Sequence, residues 1–170
     1  MSKLSKKITL ASIAVAALAT GSAVASIAQD PSAQQDAQQP LAHVSCHGGE
    51  NEITVIVNDI KKAVGLISAD LFPNRKKDFL RSRGRIKKTI VAAKSPITHF
   101  CITVPEPGDY AIAIYHDKNA NGKFDKNAFG LPGEPWGLSS NPKVRFRAPY
   151  VEETLFSVPE EGVTVEIDLN

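Results

Sequence analysis

The residues best suited to chemistry lie in one run, His116-Asp117-Lys118-Asn119-Ala120-Asn121-Gly122-Lys123-Phe124-Asp125. Asp117, Asn119, Asn121 and Asp125 put side-chain oxygens at relative positions 1, 3, 5 and 9, with Gly122 at 6 for a sharp turn and the Lys123 carbonyl at 7. That spacing lets a short loop wrap a hard cation, and it predicts one structural calcium ion. Position 12 is Ala128 rather than a bidentate Glu, so Glu134 would have to fold back to complete the shell. With only Asp117 and Asp125 charged, affinity falls at the weak extracellular end, about 0.1 to 1 mM. Asn and Asp also close turns on their own backbone, which would hold the loop without metal, and both readings stay open.

Other constellations carry less. Ser139, His116 and Asp117 supply the residue types of a hydrolase triad, but neighbouring strand residues point to opposite faces and no nucleophile elbow surrounds Ser139. A small periplasmic hydrolase is therefore kept as the alternative from another class, and the leading expectation is a protein that is not an enzyme. His47 beside Cys46 and His99 two before Cys101 have the types of a metal site, which oxidation of the sulfurs would abolish. Between Asn74 and Lys88 eight basic residues (Arg75, Lys76, Lys77, Arg81, Arg83, Arg85, Lys87, Lys88) face Asp78 alone, a surface for envelope polyanions or glycans or simply a solvated loop anchored by Phe79 and Leu80. Trp136, Tyr150, Phe146 and Phe129 crowd the same irregular region. Trp136 and Tyr150 would serve a calcium-dependent glycan- or peptide-binding module, whereas aromatics under a long loop also form satellite cores.

Elements must position these groups, and the chain has room for about one domain of them: 170 residues, 42% hydrophobic and 22% charged. Lys3, Lys6 and Lys7 precede an apolar run from Ile8 to Ala19, then small residues to Ala28, which predicts a secretory signal peptide over 1–28, cleaved after Ala25 or Ala28. The run is too short for a spanning helix, which takes about 20 apolar residues. Without those three lysines the 20 basic residues become 17 against 18 acidic, a net of −1, which removes any general case for nucleic acid. Residues 29–43 are polar and have little to bury, so they read as a disordered linker. A periplasmic or secreted location makes Cys46 and Cys101 a disulfide pair.

Residues 44–170 then read as one domain. Short apolar runs of period two recur between Pro, Gly and Asn, most clearly Val163, Val165, Ile167 and Leu169 alternating with Thr164, Glu166 and Asp168. Seven strands are expected, over 52–58, 64–72, 88–93, 98–104, 110–116, 153–158 and 163–169, paired as an all-β antiparallel sandwich. From Asp117 to Pro149 no strand is expected, and a loop of that length in a small domain is usually functional.

The ordered positions Tyr110-Ala111, His116-Asp117, Asn119, Asn121-Gly122, Asp125, Gly130-Leu131-Pro132, Glu134, Gly137-Leu138-Ser139, Asn141, Ala148-Pro149 and Thr154-Leu155-Phe156 resemble the signature of a family of small secreted bacterial proteins, the domain-of-unknown-function family two-one-four-one. The resemblance covers about residues 52–169 and is specific from Pro107 to Phe156. It implies a periplasmic or secreted β-sandwich of prealbumin-like or immunoglobulin-like type from a Gram-negative bacterium, and it assigns no activity.

Overall fold

Alternation along each strand decides which face it buries. In the computed structural model, which describes residues 46–143 and 147–170, eight strands form two sheets that share one core. The expected signal peptide, the linker, the domain start at Val44 and Phe146 lie outside those residues. The strands are β1 (Glu52–Asn58), β2 (Leu66–Pro73), β3 (Lys87–Ala92), β4 (Thr98–Thr103), β5 (Gly108–Asp117), β6 (Trp136–Leu138), β7 (Phe156–Val158) and β8 (Val163–Asp168). The smaller sheet runs β4-β1-β8, and the larger runs β3-β2-β5-β6 with β7 also on β5.

Inward positions Ile53, Val55 and Val57 of β1 and Val165 and Ile167 of β8 meet Ile67, Leu71, Ile112 and Ile114 of the larger sheet. The outer face of the larger sheet is covered as well. There Phe72, Ala111 and Leu138 form a second cluster with Phe79 and Val151, and Trp136 packs against it. Phe79 meets Phe72 edge to face at 5.6 Å, so the loop after β2 is anchored as expected, although Leu80 stays exposed. Among the described residues no helix is long and apolar enough to cross a membrane.

Three expectations need correction. The pairing is not wholly antiparallel, because β1 and β8 run parallel, Ile53 opposite Val163 through Asn58 opposite Asp168. A period of two fixes the buried face of a strand but says nothing of its direction. The segment from Asp117 to Pro149 holds a strand after all, β6, three residues long and paired to Ala113–Tyr115. Residues 151–153 form a 3-10 turn, so the expected strand over 153–158 begins at Phe156.

Turn chemistry places the base of the long loop. Gly65, at φ 70°, lies against the end of β5 so closely that a Cβ there would sit 2.1 Å from the Asp117 carbonyl oxygen. Only glycine allows that crossing. Beside it the His116 ring, 1% exposed, donates through Nε2 to the Val64 carbonyl at 2.7 Å.

Candidate functional site

β5 delivers Asp117 to the start of the loop, and β6 begins soon after Glu134. Both carboxylates are buried, at 1% and 8% exposure. Asp117 Oδ1 accepts the N–H of Asn121 at 3.1 Å and its Oδ2 that of Gly122 at 2.7 Å. Asn119 Oδ1 accepts Asn121 N–H at 3.2 Å, and Asn121 Oδ1 accepts Lys123 N–H at 2.8 Å. These are Asx turns in series, with Ala120 and Gly122 at positive φ giving the tight wrap.

The remaining predicted ligands close the ring from outside. Asp125 Oδ2 accepts both carboxamide groups, from Asn119 Nδ2 at 2.8 Å and Asn121 Nδ2 at 2.9 Å. Glu134 does fold back: Oε1 accepts Lys118 N–H at 3.0 Å and Oε2 accepts Asp125 N–H at 3.1 Å. Lys123 contributes its backbone N–H, while the carbonyl of Gly122 takes Tyr115 Oη at 3.2 Å and Lys88 Nζ at 3.4 Å. Asp117, Asn119, Asn121, Lys123, Asp125 and Glu134 are thus brought into one hydrogen-bonded loop, in which amide donors surround the carboxylates. Among the described residues the His, Cys and carboxylate ligand atoms that gather within 4.8 Å in threes are those of Cys46, Glu52 and Cys101. The two sulfurs there are bonded to each other, with Cα atoms 5.3 Å apart, and so have no thiolate to offer a metal. Glu52 instead accepts the N–H groups of His47 and Gly48, at 3.1 and 2.8 Å, pinning the bridged segment to β1.

The triad types are not brought together. Ser139 is wholly buried; its Oγ accepts Ile112 N–H at 2.9 Å and donates to the Thr154 carbonyl. His116 is engaged with Val64, and Asp117 with the loop. The aromatic pair divides too: Trp136 is half-buried on the second cluster, whereas Tyr150 is 63% exposed with the Arg147 guanidinium 4.5 Å over its ring. The ring contact beside the loop is Tyr115 with Phe124, centroids 5.4 Å apart.

Charge is partly neutralised across the basic stretch. Arg75 pairs with Asp78 at 2.8 Å, Lys76 with Glu152 at 2.8 Å and Arg85 with Asp70 at 3.7 Å. The hydrogen bond that the Lys76 ammonium donates to Glu152 raises the pKa of Lys76 and lowers that of Glu152. Nearby, Arg147 forks onto Glu153 and holds its carboxyl at about 2, with the Tyr150 N–H as second donor.

Asn141 stands in the signature, but its structural role was not legible in the sequence. Its carboxamide works as a strand residue at the edge of β8, Nδ2 donating to Glu166 O at 3.2 Å and Oδ1 accepting Asp168 N–H at 3.0 Å. The available signal was an Asn directly after Ser139-Ser140, where the chain turns at positive φ.

The family of uncharacterized proteins conserved in bacteria known as DUF2141 matches residues 55–166, and the chain belongs to it. No curated protein and no solved structure matches the chain.

Proposed function

We propose that this family member is an exported, non-catalytic β-sandwich of the bacterial cell envelope, immunoglobulin-like or prealbumin-like, that offers its 117–134 loop as a rigid binding and support element. The observation that carries this reading is where the reactive side chains are engaged. Ser139, His116 and Asp117 are each buried at 1% exposure or less and hydrogen-bonded to backbone, which supports a structural part for them. Tyr110 favours the sandwich assignment. Its hydroxyl donates back to Glu106 O at 2.8 Å, the corner made by a Tyr at the start of a strand in immunoglobulin-like domains. The bridge between Cys46 and Cys101 suits an oxidising compartment. Contact with envelope polyanions or glycans falls to the exposed Lys77, Arg81, Arg83 and Lys87 of the basic stretch.

Calcium is the loop's proposed structural ion, favoured by the wrap of Asp117 to Gly122 and by the return of Glu134 to the same loop. Binding requires the Asn119 and Asn121 carboxamides to turn their oxygens inward, replacing the donors now on Asp125.

Fractionation and melting test these readings. The chain isolated from the periplasm should start after Ala25 or Ala28 and weigh two hydrogens less than its reduced form; a cytoplasmic chain with two free thiols would sink export. Calcium at ten times Kd should add about 1.4 kcal/mol and raise Tm by several degrees. Asp117→Ala should remove that rise and Lys118→Ala should keep it; no rise in the unaltered protein means the Asx turns alone hold the loop.

A further inference from the structure

The far end of the long loop carries side chains that the readings above leave unused. Residues 126–132 make a miniature hairpin, Lys126 bridged to Pro132, with Gly130 at φ 75° in its turn. Phe129 stands 89% exposed and Leu131 60% exposed at its apex. Large apolar side chains held out in water in this way mark contact sites.

Most backbone donors of the turn are also satisfied within it. Asn127 Oδ1 accepts the N–H groups of Phe129 and Leu131 at 2.9 and 3.1 Å, Asn127 N–H bonds Leu131 O at 2.9 Å, and Gly130 N–H bonds Asn127 O at 2.9 Å. Backbone donors that enter a lipid phase must be satisfied internally, and here those of Asn127, Phe129, Gly130 and Leu131 are.

Charge selects the occupant. Lys118, Lys123 and Lys126 are exposed around the loop, while the carboxylates of Asp117 and Glu134 are buried and that of Asp125 accepts two carboxamides. The outward charge is therefore positive, and an apolar apex within a basic collar is complementary to an anionic lipid surface.

We propose that this tip is a membrane-surface anchor: Phe129 and Leu131 enter the interfacial layer of an anionic bilayer while Lys123 and Lys126 meet its headgroups. Which bilayer it meets rests on the export reading; the contact itself does not, and vesicles test it separately. A tip of two apolar side chains gives weak, reversible attachment, as single lipid chains do.

The test is co-sedimentation of the disulfide-bonded protein, residues 29–170, with phosphatidylcholine vesicles with and without phosphatidylglycerol. Binding should require the anionic lipid and weaken steeply with salt. The double change Phe129→Asp with Leu131→Asp should lower the bound fraction at least about tenfold, with Tm unchanged because both side chains are exposed. Lys123→Glu with Lys126→Glu should abolish binding to the anionic vesicles while leaving Tm unchanged. Failure to sediment with anionic vesicles at low salt overturns the proposal. So does full binding by the Asp double variant, and so does a concentration-dependent dimer that the same double variant disperses, since a second copy would then cover the tip.

Discussion

Glu134 holds the backbone of Asp125 from nine residues away, Oε2 accepting its N–H at 3.1 Å while Oε1 takes Lys118 N–H at 3.0 Å. One buried carboxylate thus ties the outgoing limb of the loop to the incoming one, and the wrap of Asp117 on Asn121 and Gly122 is built against that tie.

Glu134→Ala should therefore cost about 2 kcal/mol in urea denaturation, the scale of hydrogen bonds to a charged acceptor, and should open residues 118–133 to proteolysis before global unfolding. Glu134→Gln should be nearly as costly, since an amide keeps one acceptor and turns a donor onto the other N–H. A glutamine variant as stable as the unaltered protein would mean that the second bond contributes nothing.

Ser139 makes a parallel case in the core. Ser139→Ala leaves the Ile112 N–H and the Thr154 carbonyl each without the hydroxyl that joins them, at about 1 to 3 kcal/mol. Its neighbour Ser140 is exposed and its hydroxyl donates to Leu155 O, so Ser140→Ala should change stability by no more than about 0.5 kcal/mol. Equal effects from the two serines would refute the assignment.

The Arg147–Glu153 pair should withstand mild acid. Glu153 lies at about 2 against an ordinary 4.5, chiefly because Arg147 hydrogen-bonds its carboxylate. Since the folded value is the lower one, whatever this pair contributes is fully present above about pH 4.5 and is lost as pH falls through about 2. Both side chains are partly exposed to water, so the clean readout is the carboxyl carbon of Glu153 by NMR, titrating near 2 and returning to the usual carboxylate range in Arg147→Met. A midpoint already near 4.5 in the unaltered protein would show that the fork is not populated in solution.

What the sequence made legible follows from which physical signals are local. The alternation of Val163 to Ile167 foretold the buried face of β8, and the 1, 3, 5, 9 oxygens foretold a wrapped loop from Asp117, because both depend on near neighbours. The Cys46–Cys101 pairing was legible from the count of two. The parallel register of β1 on β8 was not, because it depends on a route through the other sheet, where β7 pairs with β5 before residues 159–162 return the chain. β6 escaped notice because three residues, one of them Gly137, carry too little period to read. The exposure of Phe129 was not legible either, because an aromatic in a long loop suits a satellite core and a surface equally well until the packing around it is known.

The two sheets meet at a seam that glycine makes possible. A Cβ on Gly137 would sit 2.6 Å from Asp168 O and 2.7 Å from Ile167 Cγ2, so β6 and β8 approach too closely for any other residue. Asn170 N–H bonds Trp136 O at 3.0 Å on the same seam, and the Asn141 carboxamide completes it at Glu166 and Asp168. Gly137→Ala must push β8 outward, at about 1 to 3 kcal/mol. Asn141→Ala, which removes two partly exposed hydrogen bonds, should cost about 1 kcal/mol. Once Gly137→Ala has parted the strands, the Asn141 bonds are already lost, so the double variant should be less destabilised than the sum of the singles by at least about 0.5 kcal/mol. Amide exchange should quicken at Asp168 and Asn170 in Gly137→Ala while β1 and β4 stay protected. Strict additivity, or a Gly137→Ala variant as stable as the unaltered protein, would mean that the seam is not closed in solution.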